Sequence, residues 1–329
     1  MAMSISHYIK EIGRGKQGAR HLSTEQARNL MENILSDQVS ELELGAFCIA
    51  MRIKGETPEE MVGFLQAMES HMEKLTPSLQ PKVNTMSGEL TKPVIVIPSY
   101  NGARKLPNLT PLLAGALALQ HYPVLVHGYT TEDKRVSTEE IFKHLNWRVA
   151  GDNTSVEGVK LQEGEALYIS MKHLSPKITD LLDIRKVIGL RNSSHSLVKI
   201  LNPIQEGWPV LQLSSYTHPE YLESMSKTFE LLGKNVLFLR GTEGEAVADP
   251  RRTPKMTGFV NGQAKTLVEQ RQGTVESLNE LPPTNDPKET SQYIQDVLQG
   301  AVEMPSSISA QISAIEELSR QICTPITQD

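Results

Sequence analysis

Cysteine and aromatic residues are scarce in this chain, and no apolar run approaches the length of a membrane span. Only two of its 329 residues are cysteine, Cys48 and Cys323. Neither falls in a Cys-x-x-Cys or Cys/His spacing, so a structural zinc site has no basis. Both read as reduced thiols of a cytoplasmic protein, Cys48 as a small core residue on an apolar helical stripe. Aromatic residues make up 5%, too few for a platform on which nucleic-acid bases stack. No charged-then-apolar signal opens the chain, and neither a membrane nor a secretory route is expected. Basic charge is not in excess. The formal net charge of −6 argues against a surface coated in cations, yet it allows a local basic groove. Repeats and low-complexity segments are absent as well.

What is present is an ordinary globular composition, 39% hydrophobic and 22% charged, long enough for two domains or one large one. Residues 1–75 read as helices only. Ala27, Leu30, Met31, Ile34 and Leu35 follow helical spacing, as do Leu44, Phe47, Cys48 and Met51, and then Met61, Phe64, Leu65 and Met68. Ser23-Thr24-Glu25-Gln26 and Ser40-Glu41-Leu42-Glu43 are capping boxes, and Thr57-Pro58-Glu59-Glu60 adds a proline at the first helical position. Residues 76–92, with Pro77, Pro81 and Gly88, read as a linker or long loop.

From residue 93 strands alternate with helices. Strands are predicted at 94–97, 124–127, 166–170, 210–213 and 235–240, and helices at 111–120, 138–145, 176–183, 186–200 and 219–232. Asn261-Gly262 reads as a hairpin turn, Asp286-Pro287-Lys288-Glu289 starts a further helix, and 307–320 is the last. The expected fold class is α/β. A small all-helical domain spans 1–80, joined by helices from about 176–200. A larger domain spans 81–329, with a mostly parallel central sheet flanked by helices.

The segment Val94-Ile95-Val96-Ile97-Pro98-Ser99-Tyr100-Asn101-Gly102-Ala103-Arg104-Lys105 concentrates the functional signal. A strand, a polar loop and the helix start at Thr110-Pro111 make an anion site, because free N–H groups and the helix dipole face the loop. A phosphate loop normally carries several glycines so that backbone can approach the ligand; this one has a single glycine and then two cations. Ser99, Asn101, Arg104 and Lys105 are therefore candidate phosphate contacts, against the simpler reading of two solvated loop cations. Arg14, Lys16 and Arg20 form a glycine-interleaved basic segment that also reads as a charged terminus. Lys134 and Arg135 precede a helix capped by Ser137. Arg185, Lys186, Arg191 and Lys199 lie in a stretch, 184–199, that contains no acidic residue, a one-sign stripe that would attract a polyanion. Glu243 and Glu245 are weak candidates for magnesium, with ordinary loop carboxylates as the simpler reading. His127, His195 and His218 lack a recognisable nucleophile or carboxylate partner, and no catalytic residue is assigned.

The stretches Glu41-Leu42-Glu43-Leu44-Gly45-Ala46-Phe47 and Met51-Arg52-Ile53-Lys54-Gly55-Glu56-Thr57 resemble the helical domain of anthranilate phosphoribosyltransferases. So do Arg185-Lys186-Val187-Ile188-Gly189-Leu190-Arg191 and Leu201-Asn202-Pro203 further on. The resemblance implies a cleft between the two domains and a homodimer through the helical one. The enzymes' catalytic motifs do not match. Ser99-Tyr100-Asn101-Gly102-Ala103 stands where they carry Gly-Thr-Gly-Gly-Asp, and Val126-His127-Gly128-Tyr129 where they carry Lys-His-Gly-Asn. Gly241-Thr242-Glu243-Gly244-Glu245 separates two carboxylates that are adjacent in the enzymes. Arg185 does match an arginine that contacts anthranilate. These departures occur together in YbiB-like proteins, catalytically silent relatives that this chain resembles through Ile9-Lys10-Glu11-Ile12-Gly13-Arg14-Gly15-Lys16, Arg191-Asn192-Ser193 and His218-Pro219-Glu220-Tyr221. That resemblance implies binding of DNA and RNA without strong sequence preference and without a cofactor. The alternative it leaves is a glycosyltransferase using phosphoribosyl pyrophosphate and magnesium.

Overall fold

Each of the three N-terminal capping signals starts a helix. In the computed structural model, residues 4–77, 92–132, 134–151, 156–271 and 281–323 are described, apart from the side chains of Lys16 and Glu157. Short helices α1 (Ser6–Ile12) and α2 (Gly15–Gly18) lead into α3 (Thr24–Leu35), α4 (Glu41–Lys54) and α5 (Pro58–Ser70). Ser23, Ser40 and Thr57 each accept the third helical amide, and Gln26, Glu43 and Glu60 reciprocate. The apolar stripes read from the sequence are the buried faces. Phe47 and Phe64 meet edge-on with ring centroids 5.9 Å apart. Gly63 brings α5 against α3, since a Cβ there would lie 2.2 Å from the Thr24 carbonyl oxygen. Most of the predicted linker, 78–91, lies outside the described residues.

One buried charge ties this domain together. Glu60 is fully buried. Its Oε1 accepts the Leu22 N–H at 2.8 Å, while Oε2 accepts the Thr57 N–H at 2.9 Å and Lys54 Nζ at 2.5 Å.

The larger domain is a seven-stranded sheet. Its strands are β1 (Val94–Ser99), β2 (Val124–Gly128), β3 (Ala166–Ser170), β4 (Val210–Tyr216), β5 (Val236–Arg240), β6 (Met256–Val260) and β7 (Gln263–Val268), in the spatial order β3-β2-β1-β4-β5-β6-β7. The first five run parallel, and β6 pairs antiparallel with both β5 and β7. Asn261 and Gly262 both adopt positive φ, 48° and 78°, at the hairpin the sequence predicts. Helices α6 (Thr110–Leu119), α7 (Thr138–His144), α12 (Pro287–Leu298) and α13 (Ser306–Cys323) pack with Ile95, Ile97, Val124 and Val126 on one face. On the other, Val94, Val96, Leu125 and Leu167 share a core with the N-terminal helices, α8 (Met171–Leu174), α9 (Pro176–Ile188), α10 (Ser194–Leu197) and α11 (Glu220–Leu232). Strands covered on both faces need apolar residues at every position, which is why β1 and β2 read as unbroken runs.

The boundary between α9 and α10 departs from the expected helices at 176–183 and 186–200. Gly189 ends α9 in the left-handed conformation, φ 76°, donating its N–H to the Arg185 carbonyl. Arg185 and Lys186 therefore finish one helix, while Arg191 and Lys199 lie beyond it. Among the described residues no helix is long and apolar enough to cross a membrane.

Chain connections leave β1 toward β2 on one side, while β4 lies on its other side. Such a reversal opens a crevice at the carboxyl ends of the strands. The loops after β1, β4 and β5 all meet there.

Glu60→Ala is expected to cost about 3–5 kcal/mol, because Lys54 is left as an unpaired buried charge. A urea denaturation series followed by circular dichroism measures it, and an unchanged midpoint would show that the pair carries no net stability.

Candidate anion-binding cleft

The N–H groups of the loop after β1 do hold anions, and the anions are the protein's own. Glu245 Oε1 accepts the Asn101 and Gly102 N–H groups at 2.8 and 2.7 Å, and Oε2 accepts Thr110 Oγ1 at 3.4 Å. Glu243 Oε2 accepts the N–H groups of Arg104 at 2.7 Å, Lys105 at 3.1 Å and Leu106 at 3.4 Å. Backbone shape makes this possible. Gly102 and Gly244 have φ of 67° and 95°, and a Cβ on Gly244 would sit 1.8 Å from Asn101 Nδ2. The residue between the two carboxylates lets each reach a different part of the loop. The loop predicted to attract phosphate through its backbone is thus already filled.

Ser99 and Asn101, predicted as phosphate contacts, are buried, and Ser99 Oγ donates to Thr138 Oγ1 at 2.7 Å. Ser99 supports the loop from inside, whereas Asn101 packs its side chain against Gly244 and lines the same cleft as Arg104 and Arg135. The side chains of Arg104 and Lys105 are instead exposed and form no salt bridge among the described residues. Ala103 and Val136 exchange N–H···O bonds of 2.8 and 2.9 Å. That antiparallel bridge sets the Arg104-Lys105 and Lys134-Arg135 pairs beside one another, although 30 positions separate them in the chain.

Arg135 turns inward, where three guanidinium groups converge on one carboxylate. Glu132 lies 2.7 Å from Arg185, 2.9 Å from Arg191 and 3.3 Å from Arg135. Burial alone would push the Glu132 carboxyl up, but hydrogen bonds from Arg185 and Arg191 and the nearby positive charges hold it down at about 2. Because the folded value lies below the ordinary 4.5, this cluster stabilises the protein above that pH and loses its contribution as pH falls toward 2. Burial of Lys199, opposed by Glu245 and reinforced by Arg191 and Arg135, pushes its ammonium down to about 8. Lys199 donates to the Gly244 carbonyl at 3.0 Å.

These groups line a cleft of about 620 Å³ between the helical domain and the sheet. Arg52 and Glu56 come from the helical side. Arg104 and Arg135 come from the loops after β1 and β2, Arg185 from α9, Arg191 and Lys199 from either side of α10, and His218 and Glu220 from the segment after β4. Five of the sequence-predicted cations therefore share one cavity. Lys105 lines a smaller adjoining cavity of about 230 Å³ with Arg251 and Arg252, both bound to Asp249.

Other predicted cations do not join this cavity's lining. Arg14 and Arg20 both pair with Glu11, at 3.3 and 3.4 Å. Lys186 pairs with Asp183 at 2.9 Å and sits over the Tyr129 ring. The Lys16 side chain lies outside the described residues. Lys134 is exposed. The acid-free run at 184–199 is thus no one-sign stripe, because Glu132 neutralises part of it from another loop.

His127 is fully buried and bonds Tyr100 at 2.7 Å. Burial, with the charges of Lys234 and Lys74, lowers it to about 3, so it is neutral at pH 7. His195 is likewise lowered to about 3, by burial and then by Arg191 and Arg185. Tyr100, bound in this way and 7% exposed, is no stacking surface. Glu132 and Arg52 were missed by sequence reasoning. Glu132 is 53 and 59 positions from its main partners, and nothing local marks it.

The donor set does not suit magnesium. Glu243 and Glu245 spend their oxygens on N–H and O–H donors, and no group of three or more potential ligands occurs among the described residues.

Residues 6–72 match the family described as glycosyl transferase family, helical bundle domain. The chain is 40% identical over 315 residues to the uncharacterized protein YbiB of Escherichia coli K12, covering 94% of this chain and 93% of that one. It is 27% identical over 185 residues to anthranilate phosphoribosyltransferase of Methanopyrus kandleri, covering 56% of this chain and 51% of the relative. The crystal structure of anthranilate phosphoribosyltransferase from Thermus thermophilus superposes with a TM-score of 0.69 at 18% identity, covering 97% of this chain and 90% of that one. That likeness establishes the fold, a helical domain beside a mostly parallel α/β domain.

Glu245→Gln is expected to cost about 2–3 kcal/mol, since hydrogen bonds to a charged acceptor are replaced by bonds to a neutral one. Amide exchange at Asn101 and Gly102 should accelerate in the variant. Unchanged protection would show that the carboxylate does not hold the loop.

Proposed function

The chain belongs to the family of Escherichia coli YbiB, and from that premise we propose that it binds DNA and RNA along the phosphate backbone, without catalysis and without strong sequence preference. One observation carries the reading. The N–H groups of the loop after β1 are taken by Glu243 and Glu245, while Arg104, Lys105 and Lys134 stand exposed beside the cleft, without salt bridges among the described residues. Cations that face solvent are available to phosphates, whereas those already paired would have to give up a partner. The burial of Tyr100 agrees with backbone contact in place of base stacking.

Three such cations per subunit make a short track, and a homodimer would double it. Its support is apolar surface on the helical side, with Leu42 85% exposed on α4 and Val187 88% exposed on α9. Six neutralised phosphates would lower affinity for duplex by about 10³ between 50 and 200 mM salt. Arg104→Glu combined with Lys105→Glu should weaken binding to unrelated DNA and RNA sequences alike, and flatten the logarithmic salt dependence by roughly 2 per subunit. Fluorescence anisotropy across a salt series measures both. Salt-independent affinity, or a charge-reversed variant that binds normally, would overturn the reading.

Phosphoribosyl transfer is the second reading, favoured by the fold shared with anthranilate phosphoribosyltransferase. The loop after β1, whose N–H groups Glu243 and Glu245 already take, opposes it. Incubation with phosphoribosyl pyrophosphate, magnesium and anthranilate is expected to give no phosphoribosylated product. Product formation abolished by Arg185→Ala would establish the enzyme instead.

A further inference from the structure

We propose that Arg135, Arg185 and Arg191 form a site for a terminal phosphate monoester, and that Glu132 occupies this site as a built-in competitor. The inference rests on the nucleic-acid reading for its larger ligand, the end of a strand. A free nucleotide carries the same group.

The geometry is that of a filled anion site. Glu132 Oε1 accepts hydrogen bonds from Arg185 and Arg191 at 2.7 and 2.9 Å, and Oε2 lies 3.3 Å from Arg135 Nε as an ion pair without a hydrogen bond. Three guanidinium groups meet a single negative charge, so the cluster keeps two positive charges in excess. The same cavity holds Arg52, Arg104 and Lys199 against Glu56 and Glu220, while Glu243 is spent on backbone N–H groups. A volume of about 620 Å³ suits a nucleotide, being within the range of about 300–1,000 Å³ usual for small-molecule sites.

Glu132 also sets a selectivity. It competes from within the chain, as a ligand tethered next to its site. A phosphodiester carries one negative charge, as the carboxylate does, and displaces it with little electrostatic gain. A phosphate monoester carries about −1.5 to −2 at pH 7 and three acceptor oxygens, which match planar guanidinium donors. Strand interiors should therefore stay on the exposed cations, while a phosphorylated end or a mononucleotide enters the cleft.

The test compares one single-stranded oligonucleotide carrying a 5′-phosphate or a 5′-hydroxyl, labelled at its 3′ end, by fluorescence anisotropy at fixed salt, with adenosine monophosphate and adenosine as competitors. The phosphorylated strand should bind roughly tenfold more tightly, an advantage of the size expected from one charge-assisted contact. Adenosine monophosphate should erase that advantage, and adenosine should not. Glu132→Gln should tighten the phosphorylated strand several-fold. Arg185→Gln should remove the preference, so that the two strands bind alike, and the competition on unaltered protein decides the matter should that variant misfold. Equal binding of both strands, with no effect of adenosine monophosphate, would overturn the site while leaving the nucleic-acid reading in place. Binding of adenosine monophosphate without binding of either strand would keep the site, assign it to free nucleotides and overturn the nucleic-acid reading.

Discussion

Free N–H groups at the carboxyl end of a central parallel strand must find an acceptor, and here the acceptors are Glu243 and Glu245. Buried backbone donors left unpaired are costly. The loop after β5 meets that demand by reaching past β4 to the loop after β1. Much else follows from this contact. Gly244 must pack against Asn101, and its carbonyl receives Lys199. Arg104 and Lys105 are held by their backbones, so their side chains face outward. The loop after β1 is thereby a fixed internal support.

A second constraint is charge. Six of the candidate cations share three carboxylates, distant in the chain or on the neighbouring turn: Arg14 and Arg20 pair with Glu11, Lys186 with Asp183, and Arg135, Arg185 and Arg191 with Glu132. Pairing separates two kinds of positive surface. Arg104, Lys105 and Lys134 remain available to any phosphate, whereas the Glu132 cluster yields only to an anion that competes better than a carboxylate. A chain of negative net charge can carry both, because its acids are placed where they organise the arginines rather than spread evenly around them.

Local signals were the legible ones. Ser23, Ser40 and Thr57 announced their helices because a capping box is completed within four residues. Strands β1 to β5 were legible as apolar runs, and the Asn261-Gly262 turn because two successive positive φ angles favour those residues. The end of α9 differs from the expected boundary at 183–186, because the helix continues to Ile188 and stops where Gly189 adopts the left-handed conformation. Arg104 and Arg185 could each be named, but their different surroundings could not, because a salt-bridge partner 53 positions from Arg185 leaves no local trace.

By itself the sequence determined the class of fold, the position of the anion loop and the residue types that would stand there, since these depend on backbone pattern and short-range bonding. Only the tertiary structure decided what those residues do. It placed two glutamates in the loop, joined Ala103 to Val136, and closed three arginines on Glu132. Electrostatics and hydrogen bonding act over a few ångströms in space, whatever the separation along the chain, so the state of each charge became readable only when the fold had brought its partners together.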